Sequence, residues 1–167
     1  MSFTRTEEIA AVTPGEFRVA FKSSDTNEPP WIKVFRCGET GPAELPNDIE
    51  RANGYQMGGR FVPADLHGGV EWGNVYVAGG TTSTTKYKAE SSERVTVPAG
   101  TYDAMRVGYV RTDRVGDATQ MTVEGTLWFA PGVGVVREQF KQTNNAGGQS
   151  SQGETIEELV AFERGGT

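Results

Sequence analysis

The chain has one cysteine, Cys37, and one histidine, His67. A lone thiol excludes an internal disulfide, and one His with one Cys leaves a zinc site short of its usual nitrogen and sulfur donors unless carboxylates complete it. Nucleophilic catalysis would need the fold to bring Cys37 to His67, and nothing in the sequence places them together. No apolar run approaches the ~20 residues of a membrane-spanning helix. No stretch carries the apolar spacing of an amphipathic helix over about three turns. Lys and Arg form no stripe, and 16 of them against 22 Asp and Glu leave the 167-residue chain at −6, which argues against a nucleic-acid partner. The opening MSFTRTEEIAAV lacks the basic and apolar regions of a signal peptide and reads as a strand in progress. The expectation is a cytoplasmic protein, or one whose leader has been replaced by an initiator Met.

What is present is turn chemistry and alternation. Gly occurs 22 times and Pro 8 times, a composition suited to many connections between strands. EFRVAF (16–21) puts Phe17, Val19 and Phe21 on one side and Arg18 and Ala20 on the other. That period of two is a half-buried strand. With the Pro14-Gly15 turn before it, residues 3–12 and 16–22 read as a hairpin. SSDTNEPP (23–30) reads as a polar loop. WIKVFRC (31–37) is a third strand with Trp31, Lys33, Phe35 and Cys37 on one face, and Cys37 reads as a small buried hydrophobe. Residues 38–69 are irregular, with room for one helical turn after Asn47-Asp48.

From residue 70 the strands lengthen. VEWGNVYVAG (70–79) is a strand with Gly73 at an expected bulge. Residues 81–97, 101–113, 121–130 and 133–144 follow, joined by short turns, and 145–153 (NAGGQSSQG) reads as a flexible loop. ETIEELVAF (154–162) closes the chain, with Ile156, Glu158, Val160 and Phe162 in line. Consecutive hairpins make an antiparallel meander. The fold expected is a single all-β domain over residues 1–167: a large curved sheet, a half-barrel or an open barrel. The N-terminal hairpin and 31–37 would extend that sheet or pack against it.

The carboxylates give no ready acid–base dyad. Glu7-Glu8 and Glu157-Glu158 are adjacent pairs, and neighbours on a strand point to opposite faces. Glu138 and Glu158 alternate with apolar residues and are candidates for an inner face. GVG (132–134) has neither the third glycine nor the helix of a dinucleotide-binding loop. No catalytic, metal or cofactor site is expected, and His67 reads as a loop histidine. The aromatic residues are the remaining candidates. Trp31, Trp72, Tyr102, Tyr109, Trp128, Phe129 and Phe140 are spread over most strands, and on a concave sheet they would line a surface for an apolar ligand or a protein partner, or form the core.

Two segments share a hairpin pattern: ERVTVPAGTYDAMRVGY (93–109), with Val97-Pro98-Ala99-Gly100, Tyr102, Ala104 and Val107, and GTLWFAPGVGVVREQF (125–140), with Trp128 through Gly134 and Val136. In these, and in RFVPADLHGGVEWGNVY (60–76) with Gly69 and Trp72, the chain resembles the TapB-like bacterial domains, extracytoplasmic β-domains of mostly unknown function. The resemblance covers residues 60–142, and its motif residues shape turns. It implies a curved antiparallel sheet in the periplasm or at the cell surface, and no enzyme. The absence of a catalytic constellation, the extended strands and the polar, Gly-rich tails lead to the expectation of a non-enzymatic envelope domain working by protein–protein contact, as an accessory or extrinsic subunit of a larger, membrane-peripheral assembly. A carrier of a lipid or other apolar ligand is the alternative.

Overall fold

The computed structural model describes residues 5–23, 29–46, 48–146 and 149–163. Among the described residues the elements are eleven strands and one short helix, in two compact units. One unit holds residues up to Asp65 and Asn74–Gly79; the other holds Leu66–Gly73 and the chain from Gly80 onward. All-β architecture is as the alternating pattern predicts, and each strand pairing described is antiparallel.

The first unit contains a four-stranded sheet in sequence order: β1 (Arg5–Thr13), β2 (Glu16–Ser23), β3 (Trp31–Gly38) and β4 (Gly41–Leu45). It is a sheet of its own rather than an extension of the longer one. Its core follows from the alternation in β2 and β3. Phe17 lies opposite Phe35 with the rings stacked at 5.1 Å, Phe61 tilts against Phe35 at 5.1 Å, and Val19 and Phe35 are buried. Cys37 corrects its expectation: it is exposed, because it sits at the end of β3 beside the Gly38–Gly41 turn. The segment expected to be irregular holds β4, the five-residue helix α1 (Asp48–Ala52) and β5 (Gln56–Gly59). Asn47, ahead of the expected helical turn, and most of the loop at 23–30 lie outside the described residues.

The second sheet has seven strands in the order β11-β10-β9-β8-β7-β6-β5 and is not closed. Its strands are β6 (Glu71–Ala78), β7 (Thr81–Val97), β8 (Gly100–Val115), β9 (Ala118–Ala130), β10 (Gly134–Ala146) and β11 (Gln149–Glu158), after β5. Gly73 marks a close backbone approach: a Cβ there would lie 2.7 Å from the Thr85 carbonyl oxygen. The flexible loop expected at 145–153 is corrected. Asn145 pairs with Ser150 and Ala146 with Gln149, so the two strands run almost to residues 147–148, which lie outside the described ones. The closing strand is correspondingly earlier, ending at Glu158 instead of residue 162.

The two signature hairpins build the main core of the second unit. Val95, Val97, Ala104, Ala130 and Val136 are buried together, with Tyr102, Trp128, Val133 and Leu159 packed against them. Leu159 joins both hairpins through its backbone: its N–H donates to Val136 O at 2.9 Å, and its carbonyl accepts from Ala99 N–H at 3.0 Å. Gly132 and Gly134 hold φ of 72° and 107°, a left-handed backbone that side chains disfavour, so the Ala-Pro-Gly-Val-Gly turn depends on them. The stretch is a structural hairpin, as its residues imply.

Candidate functional site

Residues directly opposite on antiparallel neighbours share a face. Register therefore gathers side chains from distant parts of the second unit. Tyr87 on β7 lies opposite Tyr109 on β8, Tyr109 opposite Gly125 on β9, and Gly125 opposite Phe140 on β10. Trp72 stacks on Tyr87, with centroids 5.1 Å apart and planes at 11°, and Tyr87 meets Tyr109 at 5.9 Å. The result is a half-buried aromatic strip from Trp72 to Phe140. Gly125 is its notch: a Cβ there would stand 2.6 and 2.7 Å from Tyr109 Cε1 and Cζ and 2.8 Å from Phe140 Cβ. Only a residue without a side chain lets the tyrosine ring lie across β9.

Polar groups fix both sides of the strip. The Tyr109 hydroxyl donates to Glu138 Oε1 at 2.6 Å. Burial, that hydrogen bond and the Glu138 charge push the phenol well above its ordinary value of 10.0. Tyr109 is thus a fixed neutral donor. Two residues further along β8, Arg111 forks onto Asp113, with Nε to Oδ1 at 2.9 Å and a terminal nitrogen to Oδ2 at 2.7 Å, and its Nε also reaches Ser83 Oγ at 3.1 Å. Burial alone would raise the Asp113 carboxyl, but the Arg111 and Ser83 hydrogen bonds and the Arg111 charge outweigh it and hold the carboxyl below its ordinary value. Each charged group is held by a neighbour on the same face, an arrangement that positions rings and stabilises the sheet.

The seven aromatic candidates separate. Trp72, Tyr109 and Phe140 lie in the strip. Phe129, opposite Met105 and Val135, shares that face nearer the β9–β10 turn. Tyr102 and Trp128 lie on the other face. Tyr102 packs on the core and donates its hydroxyl to Ala99 O at 3.2 Å; the Trp128 indole N–H donates to Glu93, and the Arg137 guanidinium sits 5.3 Å from its ring centre. Trp31 opens β3 in the other unit, paired through its backbone with Phe21, and its side chain lies outside those described. Tyr87 joins the strip although sequence reasoning passed over it. Its signal was alternation: Ser83, Thr85 and Ala89, at period two around it, are all buried.

The remaining candidates do not assemble. His67 is exposed, with Nδ1 3.1 Å from the neighbouring Gly68 carbonyl oxygen. Glu138 shares its face with Glu157, while Glu158 lies on the opposite face across from Arg137, so the paired candidates Glu138 and Glu158 are on different sides of the sheet. Among the described residues no group of three or more His, Cys, Asp or Glu could hold a metal ion, and no helix is long and apolar enough to cross a membrane. Large apolar side chains stand exposed on end strands: Ile9 on β1 at 65% and Ile156 on β11 at 53%, followed by Val160 and Phe162 after β11.

Among solved structures the chain is similar to a Bacteroides fragilis protein whose name gives it a YmcC-like fold and proposes that it is exported. The two share 16% identity with a TM-score of 0.55, over 97% of this chain and 87% of that one, a likeness of fold. No curated protein matches. A family model, DUF3108-like, matches residues 45–151, which contain both signature hairpins and the strip from Trp72 to Phe140. That is a different family name from the TapB-like one the same hairpins resemble. The chain belongs to the DUF3108-like family.

Proposed function

We propose that the chain is a non-enzymatic β-domain of the bacterial cell envelope that acts by contact with a protein partner, as an accessory or extrinsic subunit. One observation carries this reading: exposed large apolar side chains stand on the end strands β1 and β11, where Ile9 and Ile156 are more than half exposed. The strip, by contrast, is engaged within itself, since Trp72 stacks on Tyr87 and Tyr109 is hydrogen-bonded to Glu138. End strands with exposed apolar groups are where sheets recruit partners. The TapB-like resemblance and the export proposed in the name of the Bacteroides protein support an extracytoplasmic location. The test is photo-cross-linking in the source cells from a reactive residue at position 9 or 156. A discrete protein adduct is expected; adducts with lipid alone, or none, would overturn the reading.

A second reading rests on the strip. Trp72, Tyr87, Tyr109 and Phe140 form a continuous half-buried aromatic row, the surface a carrier of an apolar ligand would present. Native mass spectrometry of protein isolated from its source tests it. A small apolar species at fixed stoichiometry, lost on Trp72→Ala, supports the carrier.

A further inference from the structure

We infer that the outer edge of β11 accepts an extended segment of a partner protein carrying basic side chains on either side of an apolar one. This rests on the protein-contact reading and specifies where that contact lies. β11 is the end strand of its sheet, and its ten residues pair with β10 in unbroken register. Protein edges are usually blunted by charged side chains, Lys above all, by Pro or by a bulge, and the charges of β11 are all Glu. β11 has no Lys or Pro, and the β10–β11 pairing has no register shift. The end strand of the other sheet, β1, does shift register, between Ala11 and Thr13. From Ser150 to Glu158 the residues of β11 are exposed except Thr155 and Glu157, which are half-buried on the face of the strip. At the far end it is secured to both core hairpins through Leu159, so an added strand would meet a fixed template.

Charge selects the occupant. Glu154, Ile156 and Glu158 share one face of β11 by period two, and residues 149–163 hold Glu154, Glu157, Glu158 and Glu163 with no Lys or Arg. On the inner side, Glu154 accepts a hydrogen bond from Gln139 at 3.0 Å and Glu158 lies 3.6 Å from Arg137 Nε. An added strand with Lys or Arg opposite Glu154 and Glu158 and an apolar residue opposite Ile156 would complete this row. A second copy of the chain fits poorly. Antiparallel pairing centred on Ile156 would set Glu154 of one copy against Glu158 of the other, and like charges directly opposite destabilise a sheet.

The probe is the symmetric peptide Ac-TTKTVTKTT-amide, which presents the same pattern in either strand direction, with Ac-TTETVTETT-amide as its control. Amide hydrogen exchange on the full chain is the readout. The basic peptide should protect alternate amides between Gln149 and Glu158, and binding should weaken as salt is raised. The acidic peptide should protect none. Ile156→Lys should weaken the basic peptide at least tenfold while leaving the unfolding midpoint of the free protein in place. Protection elsewhere, no protection, or equal binding of both peptides would overturn the inference. A doubled mass with β11 protected and no peptide present would overturn it in favour of self-pairing. If Ile156→Lys loses the peptide but keeps the partner cross-linked from position 9 in cells, the contact reading stands and the β11 assignment falls.

Discussion

The Tyr109 hydroxyl on β8 donates to Glu138 Oε1 on β10, reaching across β9 at 2.6 Å. The two residues lie 29 positions apart, and β9 between them carries Gly125 at the crossing point. Tyr109→Phe keeps the ring and removes the donor. It should cost about 1.5–3 kcal/mol, the typical net value of a hydrogen bond to a charged group, read from urea unfolding. The pH dependence has a definite sign. The folded phenol is raised above the ordinary 10.0, so its contribution is complete below pH 10 and is lost as pH rises through the folded value. Ultraviolet titration of the folded protein should show a late tyrosinate step from Tyr109, beyond that of Tyr76, whose phenol burial pushes up to about 12. Tyr109→Phe should remove that late step.

Gly125→Ala should displace the strip. The new methyl would stand under 3 Å from two Tyr109 ring carbons and from Phe140 Cβ, and β9 is held between β8 and β10. Overpacking of this kind costs about 1–3 kcal/mol. Combining it with Tyr109→Ala, which removes the ring the methyl meets, should cost less than the sum of the two single changes. Additive losses in a double-mutant cycle would mean that the ring does not occupy the notch.

Asp113 gives the acid counterpart. Its carboxyl is depressed by Arg111 and Ser83 against the opposing effect of burial, so its contribution is present above the ordinary value of 3.8 and is lost as pH falls through the folded value. Asp113→Asn should cost about 1–2 kcal/mol at neutral pH, less than a fully buried pair because Arg111 is partly solvated. Its loss of stability between pH 5 and pH 2 should be shallower than that of the unmodified chain. Identical acid limbs in the two proteins would remove Asp113 from the account.

Long strands were legible in the sequence because side-chain alternation survives in them. The alternation bounds β7 at residues 81–97, as the structure has it. β11 was displaced because pairing at Asn144↔Ser151 and Asn145↔Ser150 is made by backbone groups, and small polar side chains carry no hydrophobic period to announce it. β4 was missed for a related reason: it is short and contains Pro42, which has no N–H to donate. The strip was half legible. Alternation gives a face to each tyrosine, but only register sets Tyr87 beside Tyr109 and Phe140 beyond Gly125, and register is not written in any one strand.

The second unit buries residues on both faces of its sheet, which sets the last prediction. Val136 and Val107 are each 1% exposed, yet Val136 belongs to the core between the two signature hairpins, while Val107 lies on the face of the strip, opposite Ala89 and Leu127. Truncation of either to Ala should cost about 2 kcal/mol through lost burial and residual cavity. The accompanying signals should differ. Val136→Ala loosens the packing around Trp128 and Leu159, so increased hydrogen exchange should centre on the amides of Ala99 and Leu159, whose bonds close that core. Val107→Ala should leave those two amides protected and instead alter the near-ultraviolet dichroism of the Tyr87–Tyr109 pair, two residues away on the same face. If both variants opened the Ala99 and Leu159 amides equally, the two buried faces would unfold as one unit, and the hairpin core would not be the separate element its contacts describe.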